Sequence, residues 1–334
     1  MGNWKGSKIR TYLLLFFLIG NILFSMGAII SAHDGSQMGT STPSRLNLSE
    51  ESVTSSIDGS RLKGLIKHPS IFSSALKSLL QGKTSEEARL KVILLFDEKT
   101  SKSDRVSTIS SVLQDYDLIY NYDIIPGLAI EVNPKELTEK EGVLSGLKNL
   151  DEIFHSQRFD SPVRTHQLPS TGTLDPDKYP NWWINATGAN GLAYNGSGIR
   201  VAVIDSGMYP HPDLNIVKNS SFISGEKNTS YYDSFGHGTH VGCIIGGTGN
   251  ASSGRYRGIA PGVELINAKA GGSTGGLETT DILSAIDWSI NKAGAHIISM
   301  SFGGGYPLPY DPMTLALSNA VDRGIICVAS AGNS

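Results

Sequence analysis

A rhythm that begins near residue 199 limits the fold more than any other feature of the sequence: short apolar runs closed by glycine-rich or polar turns alternate with segments of helical period. Ile199 to Ile204, Val263 to Ala268, Ile297 to Met300 and Ile325 to Ala329 read as strands. Val241 to Ile245 falls in a short helix, and Thr280 to Lys292 forms another, with Leu283, Ile286 and Ile290 on one face and a stop near Gly294. Asp311-Pro312 supplies an N-cap and first-turn pair for a helix that Gly324 ends. Strands that are apolar throughout, rather than at alternate residues, are buried on both faces. The pattern therefore predicts an α/β fold, a parallel sheet with helices on both faces, whose functional residues stand at the carboxyl ends of its strands.

Upstream, the composition changes several times. Lys5, Lys8 and Arg10 precede an almost wholly apolar stretch, Leu13 to Ile30, closed by Ser31-Ala32. Residues 1–32 read as a signal peptide and predict secretion, with an uncleaved membrane anchor through residues 11–30 as the alternative. Residues 33–88, rich in Ser, Thr and Gly, read as a polar tether with little structure, despite one amphipathic pattern at Ile71, Ala75, Leu76 and Leu79. Over residues 89–159 the order is βαββαβ, a small α+β ferredoxin-like domain. Its strand Leu90 to Phe96 precedes a helix bearing Val106, Ile109 and Leu113. A hairpin with arms Leu118 to Ile125 and Leu128 to Val132 turns at Pro126-Gly127, a second helix bears Leu137, Val143 and Leu147, and a last strand runs from Glu152 to Phe159. Four prolines mark residues 160–180 as a linker, and 181–334 form the second folded unit.

Charge and cysteine content exclude some classes. Lys plus Arg number 28 against 31 Asp plus Glu, without a basic stripe, so nucleic acid is not an expected partner. Cys243 and Cys327 lie in apolar stretches and read as two buried thiols, a disulfide between them remaining open. Asn-x-Ser/Thr sequons at Asn47, Asn185, Asn195, Asn219, Asn228 and Asn250 fit a surface that meets an export pathway.

Five segments of the second unit could carry chemistry. Asp205 closes Val201-Ala202-Val203-Ile204-Asp205-Ser206-Gly207; an acid after a parallel strand can bind a ribose, hold magnesium, take a phosphoryl group or cap a turn. His237, in Gly236-His237-Gly238-Thr239-His240-Val241-Gly242, sits at a glycine-flanked helix start. His237 and His240 have metal-ligand spacing, but no Glu follows His237 and no third ligand is evident, so His240 reads as a core histidine. Ser301, Phe302 and Gly303 lie in a glycine-rich strand end where a peptide could lie against the backbone, and Gly275-Gly276 belong to a second such segment. Asn333, in Ala329-Ser330-Ala331-Gly332-Asn333, taken alone is a turn former.

In this order, and with His211-Pro212-Asp213-Leu214 after the Asp, the motifs resemble the subtilisin family of serine proteases over about residues 180–334. Residues 89–159 are similar, by element order, to the family's inhibitory propeptide. The resemblance implies a serine endopeptidase acting on polypeptide substrates. In it His237 is the general base, Asp205 orients and stabilises its imidazole, Asn333 donates to the oxyanion, and Ser301, Phe302, Gly303, Gly275 and Gly276 flank the substrate. It makes the propeptide an intramolecular inhibitor and allows calcium, for which Thr248 to Gly258 offers no carboxylate cluster, so no ligand is named. The family's Gly-Thr-Ser nucleophile motif does not follow Asn333; Gly39-Thr40-Ser41 matches three of its residues but lies in the polar tether. The expectation is accordingly a precursor lacking its nucleophile and inactive as it stands. A non-catalytic relative that binds peptides, and a separate inhibitor built on the small domain, are the rivals.

Overall fold

The computed structural model describes residues 70–82, 89–161, 181–304 and 311–331. The leader, the tether to residue 69, the linker from 162 to 180 and Asn333 lie outside the described residues.

The small unit consists of α1 (Ser74–Gly82), β1 (Leu90–Phe96), α2 (Lys102–Ser110), β2 (Tyr116–Asn121), β3 (Gly127–Val132), α3 (Pro134–Ser145) and β4 (Leu150–His155). Its antiparallel sheet has the order β2-β3-β1-β4. Local chemistry sets the helix starts: Ser101 accepts from the Asp104 N–H ahead of α2, and Asn133 caps α3 with Pro134 behind it. Alternation along β1 splits the sheet's faces. Val92, Leu94 and Phe96 pack with Ile109, Leu137 and Leu144 beneath the helices, whereas Ile93 and Leu95 face the second unit.

Several expectations require correction here. Residues 70–82 are not tether: Phe72 bridges Ile153, Ser73 N donates to Ile153 O at 3.0 Å, and Leu76 is fully buried in the small unit's core. The apolar face was enough to fold them once a sheet edge was near. The first hairpin arm ends at Asn121, because Tyr122, Ile124 and Ile125 turn out of the sheet and bury against the second unit. Arg105 holds that loop from within by donating to Tyr122 O at 2.8 Å. On α3 the buried partner of Leu137 is Leu144; Val143 is 54% exposed. The expected strand 152–159 breaks after His155, and β5 (Arg158–Asp160) leaves the small sheet to pair with the second unit.

The large unit carries α4 (Trp182–Ala186), β6 (Arg200–Asp205), β7 (Ile216–Ser221), α5 (His237–Gly246), β8 (Glu264–Lys269) and β9 (Gly276–Glu278). There follow α6 (Thr279–Trp288), β10 (Ile297–Met300), α7 (Pro312–Asp322) and β11 (Ile326–Ala329). Five parallel strands take the order β11-β10-β6-β8-β7. β6 is central and buried, as its unbroken apolar run requires. The chain leaves β6 toward β8 and β7 and later returns to its other side as β10 and β11. That reversal of order places a crevice at the carboxyl end of β6, where Asp205 stands.

Helix α5 lies on one face of the sheet with Gly238, Gly242 and Gly246, four residues apart, turned inward. A Cβ at Gly238 would strike Gly207 O, at Gly242 the Met208 sulfur and at Gly246 Val263, so the glycines allow a backbone approach no other residue permits. On the opposite face α6 is covered on all sides: every residue from Thr279 to Asp287 is buried, between the parallel sheet and the small unit. The predicted helix to Lys292 ends its α-helical part at Trp288 and continues as a π turn to Ala293, after which Gly294 takes φ 73°.

Cys243 and Cys327 are free and half-buried, with no bridge between them. Both thiols are pushed up by burial, Cys327 to about 11.

Candidate active site

Two loops bring the site together. The chain turns sharply after Asp205 through Gly207, whose φ is 105° and whose missing Cβ gives room to Tyr231 O. Gly236, at φ 101°, caps α5 and delivers His237 as its first residue. The His237 Nδ1 lies 2.9 Å from both carboxylate oxygens of Asp205. Asp205 is 1% exposed and the His237 side chain 16%, so the acid is sealed while part of the imidazole reaches solvent. The hydrogen bond to Asp205 raises the His237 pKa above its usual value; burial opposes this, while the charges of Asp205 and Asp233 add to it. A carboxylate on one ring nitrogen holds the proton there and leaves the other free to accept one.

The histidine expected in the core is not there: His240 lies on the exposed face of α5. The three inward glycines, four residues apart, share one face of α5, and His240, two residues from both Gly238 and Gly242, lies about 200° round the helix from that face and so points to solvent.

Two backbone edges flank the cleft, and between them lies β5. Asp160 N donates to Gly303 O at 3.0 Å and Gly303 N to Asp160 O at 3.2 Å. On its other side β5 pairs antiparallel with β9: Arg158 faces Glu278, Phe159 faces Leu277 and Asp160 faces Gly276. Ser161 N donates to Gly275 O at 2.9 Å and Thr279 N to Gln157 O at 2.9 Å. Side chains have pockets too, since Phe159 meets Phe302 edge to face with ring centroids 5.9 Å apart. Of the residues predicted to flank a peptide, Gly275, Gly276, Phe302 and Gly303 therefore all touch this strand. Ser301 is half-buried and makes no cross-strand pair with it.

Sequence reasoning missed Asp233. Its Oδ1 accepts from Ser206 Oγ at 2.9 Å, Phe235 N at 3.0 Å and Gly236 N at 2.7 Å, and its Oδ2 from Thr239 N at 2.9 Å and from Thr239 Oγ1. Burial pushes this carboxyl up, but the hydrogen bonds from Thr239, Gly236 and Phe235 outweigh it and hold the pKa below the ordinary value. The available signal was an acid three residues ahead of a glycine-capped helix.

Among the described residues no three His, Cys, Asp or Glu side chains cluster as a metal site. Asp213, from the motif after Asp205, is spent on structure, accepting from Thr248 Oγ1 at 2.6 Å and Ala251 N at 3.1 Å.

Residues 196–334 match the model of the Subtilase family of peptidases. M-protease of Shouchella clausii (strain KSM-K16) is 31% identical over 273 residues, 79% of this chain and 65% of that protein. Over residues 196–334 the chain belongs to the subtilase family. Alkaline elastase YaB of Bacillus sp. (strain YaB) is 32% identical over 276 residues, covering 79% of this subtilase and 66% of its own length. Subtilisin Savinase of Lederbergia lenta is 37% identical over 151 residues, 45% of this chain and 54% of that one. Among solved structures fervidolysin from Fervidobacterium pennivorans, a keratinolytic enzyme related to subtilisin, aligns with a TM-score of 0.54 at 21% identity, over 80% of this chain and 43% of its own. That likeness concerns the fold. The chain spans 65% of the length of M-protease.

Proposed function

We propose that this subtilase is part of a serine endopeptidase that hydrolyses polypeptides, and that residues 70–161 are its intramolecular inhibitor. The observation that carries the proposal is the strand Arg158–Asp160 held between Gly276–Glu278 and Gly303 by backbone hydrogen bonds. An extended peptide bound by main-chain edges on both sides presents its bonds in a fixed register while its sequence remains free to vary, which suits an enzyme that cuts many proteins. The segment occupies that place as a substrate's acyl side would, so any other peptide competes with it.

His237, with Asp205 on Nδ1, would take the proton of a serine hydroxyl at Nε2 as that oxygen attacks the peptide carbonyl, and then give it to the departing amine. Asp205 would hold the imidazole in its productive orientation and stabilise the imidazolium. Asn333 would donate its side-chain amide to the oxyanion. No described residue supplies the hydroxyl: among these residues the His237 imidazole is hydrogen-bonded to the Asp205 carboxylate alone. Export through residues 1–32 places the enzyme outside the cell; among the described residues no helix is long and apolar enough to cross a membrane.

The test is labelling of the protein, purified from its native source, with a serine-directed phosphonate, beside an assay with a chromogenic peptide. Hydrolysis and labelling that vanish in Asp205→Asn and His237→Gln are expected. Tight peptide binding without either would leave the peptide-binding alternative standing.

A further inference from the structure

Asp205 and His237 stand on separate elements, the end of β6 and the start of α5, 32 residues apart in sequence. Something must fix one against the other, and no covalent or sheet contact does so. The Ser206 hydroxyl accepts from Gly238 N at 3.0 Å, but this link is one bond wide. Asp233 completes it. One carboxylate gathers the hydroxyl beside Asp205 and the N–H groups of Phe235, Gly236 and Thr239, which bracket His237 on both sides. Thr239 Oγ1 in turn receives Tyr209 N at 3.0 Å, so the loop after β6 is tied a second time to the first turn of α5. Five donors on one half-buried carboxylate take up the whole of its lone-pair capacity and leave it little freedom to turn.

We propose that Asp233 is a positioning residue for the Asp205–His237 pair, its carboxylate clamping the β6 loop to the first turn of α5 so that the imidazole stays edge-on to Asp205. The proposal deepens the catalytic reading and takes its functional meaning from it, while its test needs no turnover. Asp233 does not bond His237. It acts through Gly236, Ser206 and Thr239, and through its negative charge, which lies close enough to favour the imidazolium.

Nuclear magnetic resonance of the full chain with labelled histidine rings follows His237 directly, its signal being assigned by its loss in His237→Gln. Asp233→Asn keeps the size and shape of the side chain but removes the charge and presents an amide donor to Thr239. In that variant the His237 pKa should fall, because the Asp233 charge that helps to raise it is gone, and the low-field Nδ1 proton shared with Asp205 should broaden through exchange with water. Thr239→Val, which removes one donor to Asp233 and the tie to Tyr209 yet leaves the charge, should leave the pKa in place. Ser206→Ala, which cuts the bridge and spares Asp233, should broaden the proton with the pKa unchanged. It serves as the deciding variant if Asp233→Asn fails to fold. An unmoved pKa and a sharp Nδ1 proton in Asp233→Asn, or a sharp proton in Ser206→Ala, would reduce Asp233 to an ordinary helix cap and overturn the proposal. A protein that shows these shifts but cleaves nothing would sink the catalytic reading and leave the positioning role intact.

Discussion

Asp160 and Gly303 exchange both of their backbone hydrogen bonds, at 3.0 and 3.2 Å, although one belongs to the tail of the small unit and the other to the loop after β10. This reciprocal pair joins the two units through their main chains, on the side of β5 opposite to β9.

Asp160→Pro removes the N–H of that pair and should detach β5 while sparing the small unit's own sheet. The loss is about 1–2 kcal/mol locally. Hydrogen exchange at residues 157–161 should accelerate at least tenfold, with β1 to β4 unchanged. Equal protection in the variant would mean that side chains, not the backbone edges, hold the strand.

The Asp287 carboxylate accepts from Asp123 N at 2.8 Å, from Ile124 N, and from Tyr120 Oη at 3.2 Å, so α6 caps the hairpin loop of the small unit. Asp287→Ala leaves two backbone donors facing an apolar wall. We expect a loss of roughly 2–4 kcal/mol, seen as a lower melting temperature and protease cutting at 122–126. Asp287→Asn, which still offers an acceptor, should lose less.

Glu152 is 7% exposed and shares its sheet face with Leu95 and Phe154, which pack against the large unit. Burial first, and then the charge of Asp151, pushes its pKa to about 7. A carboxyl whose folded pKa is raised is penalised only where it ionises, so its contribution worsens as pH climbs from the unfolded value, near 4.5, through 7. The chain should thus melt higher at pH 5.5 than at pH 8 on account of this group. Glu152→Gln should flatten that slope and stabilise the protein at pH 8 by about 1–2 kcal/mol. A slope of equal steepness in the variant would assign it elsewhere.

For His237 the sign is opposite. Its folded pKa is raised, so its ion pair contributes fully below the unfolded value of about 6.5 and is lost as pH rises through the folded one. The melting gap between the wild-type chain and His237→Gln should be widest at pH 5.5 and narrow by pH 9. A gap that widens with pH would contradict the Nδ1–Asp205 arrangement.

The parallel sheet was legible because its inner strands are apolar without interruption, and Asp205 and His237 because a strand end and a glycine-flanked helix start are short-range signals. β7, by contrast, reads Ile-Val-Lys-Asn-Ser-Ser: an edge strand with one face in water needs no apolar run, and it escaped notice. β9 escaped for another reason. Gly276–Glu278 becomes a strand only by pairing with β5, more than a hundred residues away, and no local pattern encodes such a partner. Asp233 sits among polar loop residues, where its five bonds depend on the meeting of two loops. The same holds for the break after His155, which is set by the neighbour on which β5 lands.

Helix α6 has no exposed side, yet Thr280, Ser284 and Asp287 form a polar stripe along it, pointed at the small unit, where Tyr122 Oη reaches Thr280 O at 3.2 Å. A helix made for permanent enclosure would carry leucine there. A stripe of hydroxyls and a carboxylate can trade each partner for water at modest cost, so the cover over α6 is of a kind that can be lifted. The large unit, once bare, would meet solvent with a wettable helix rather than an open core.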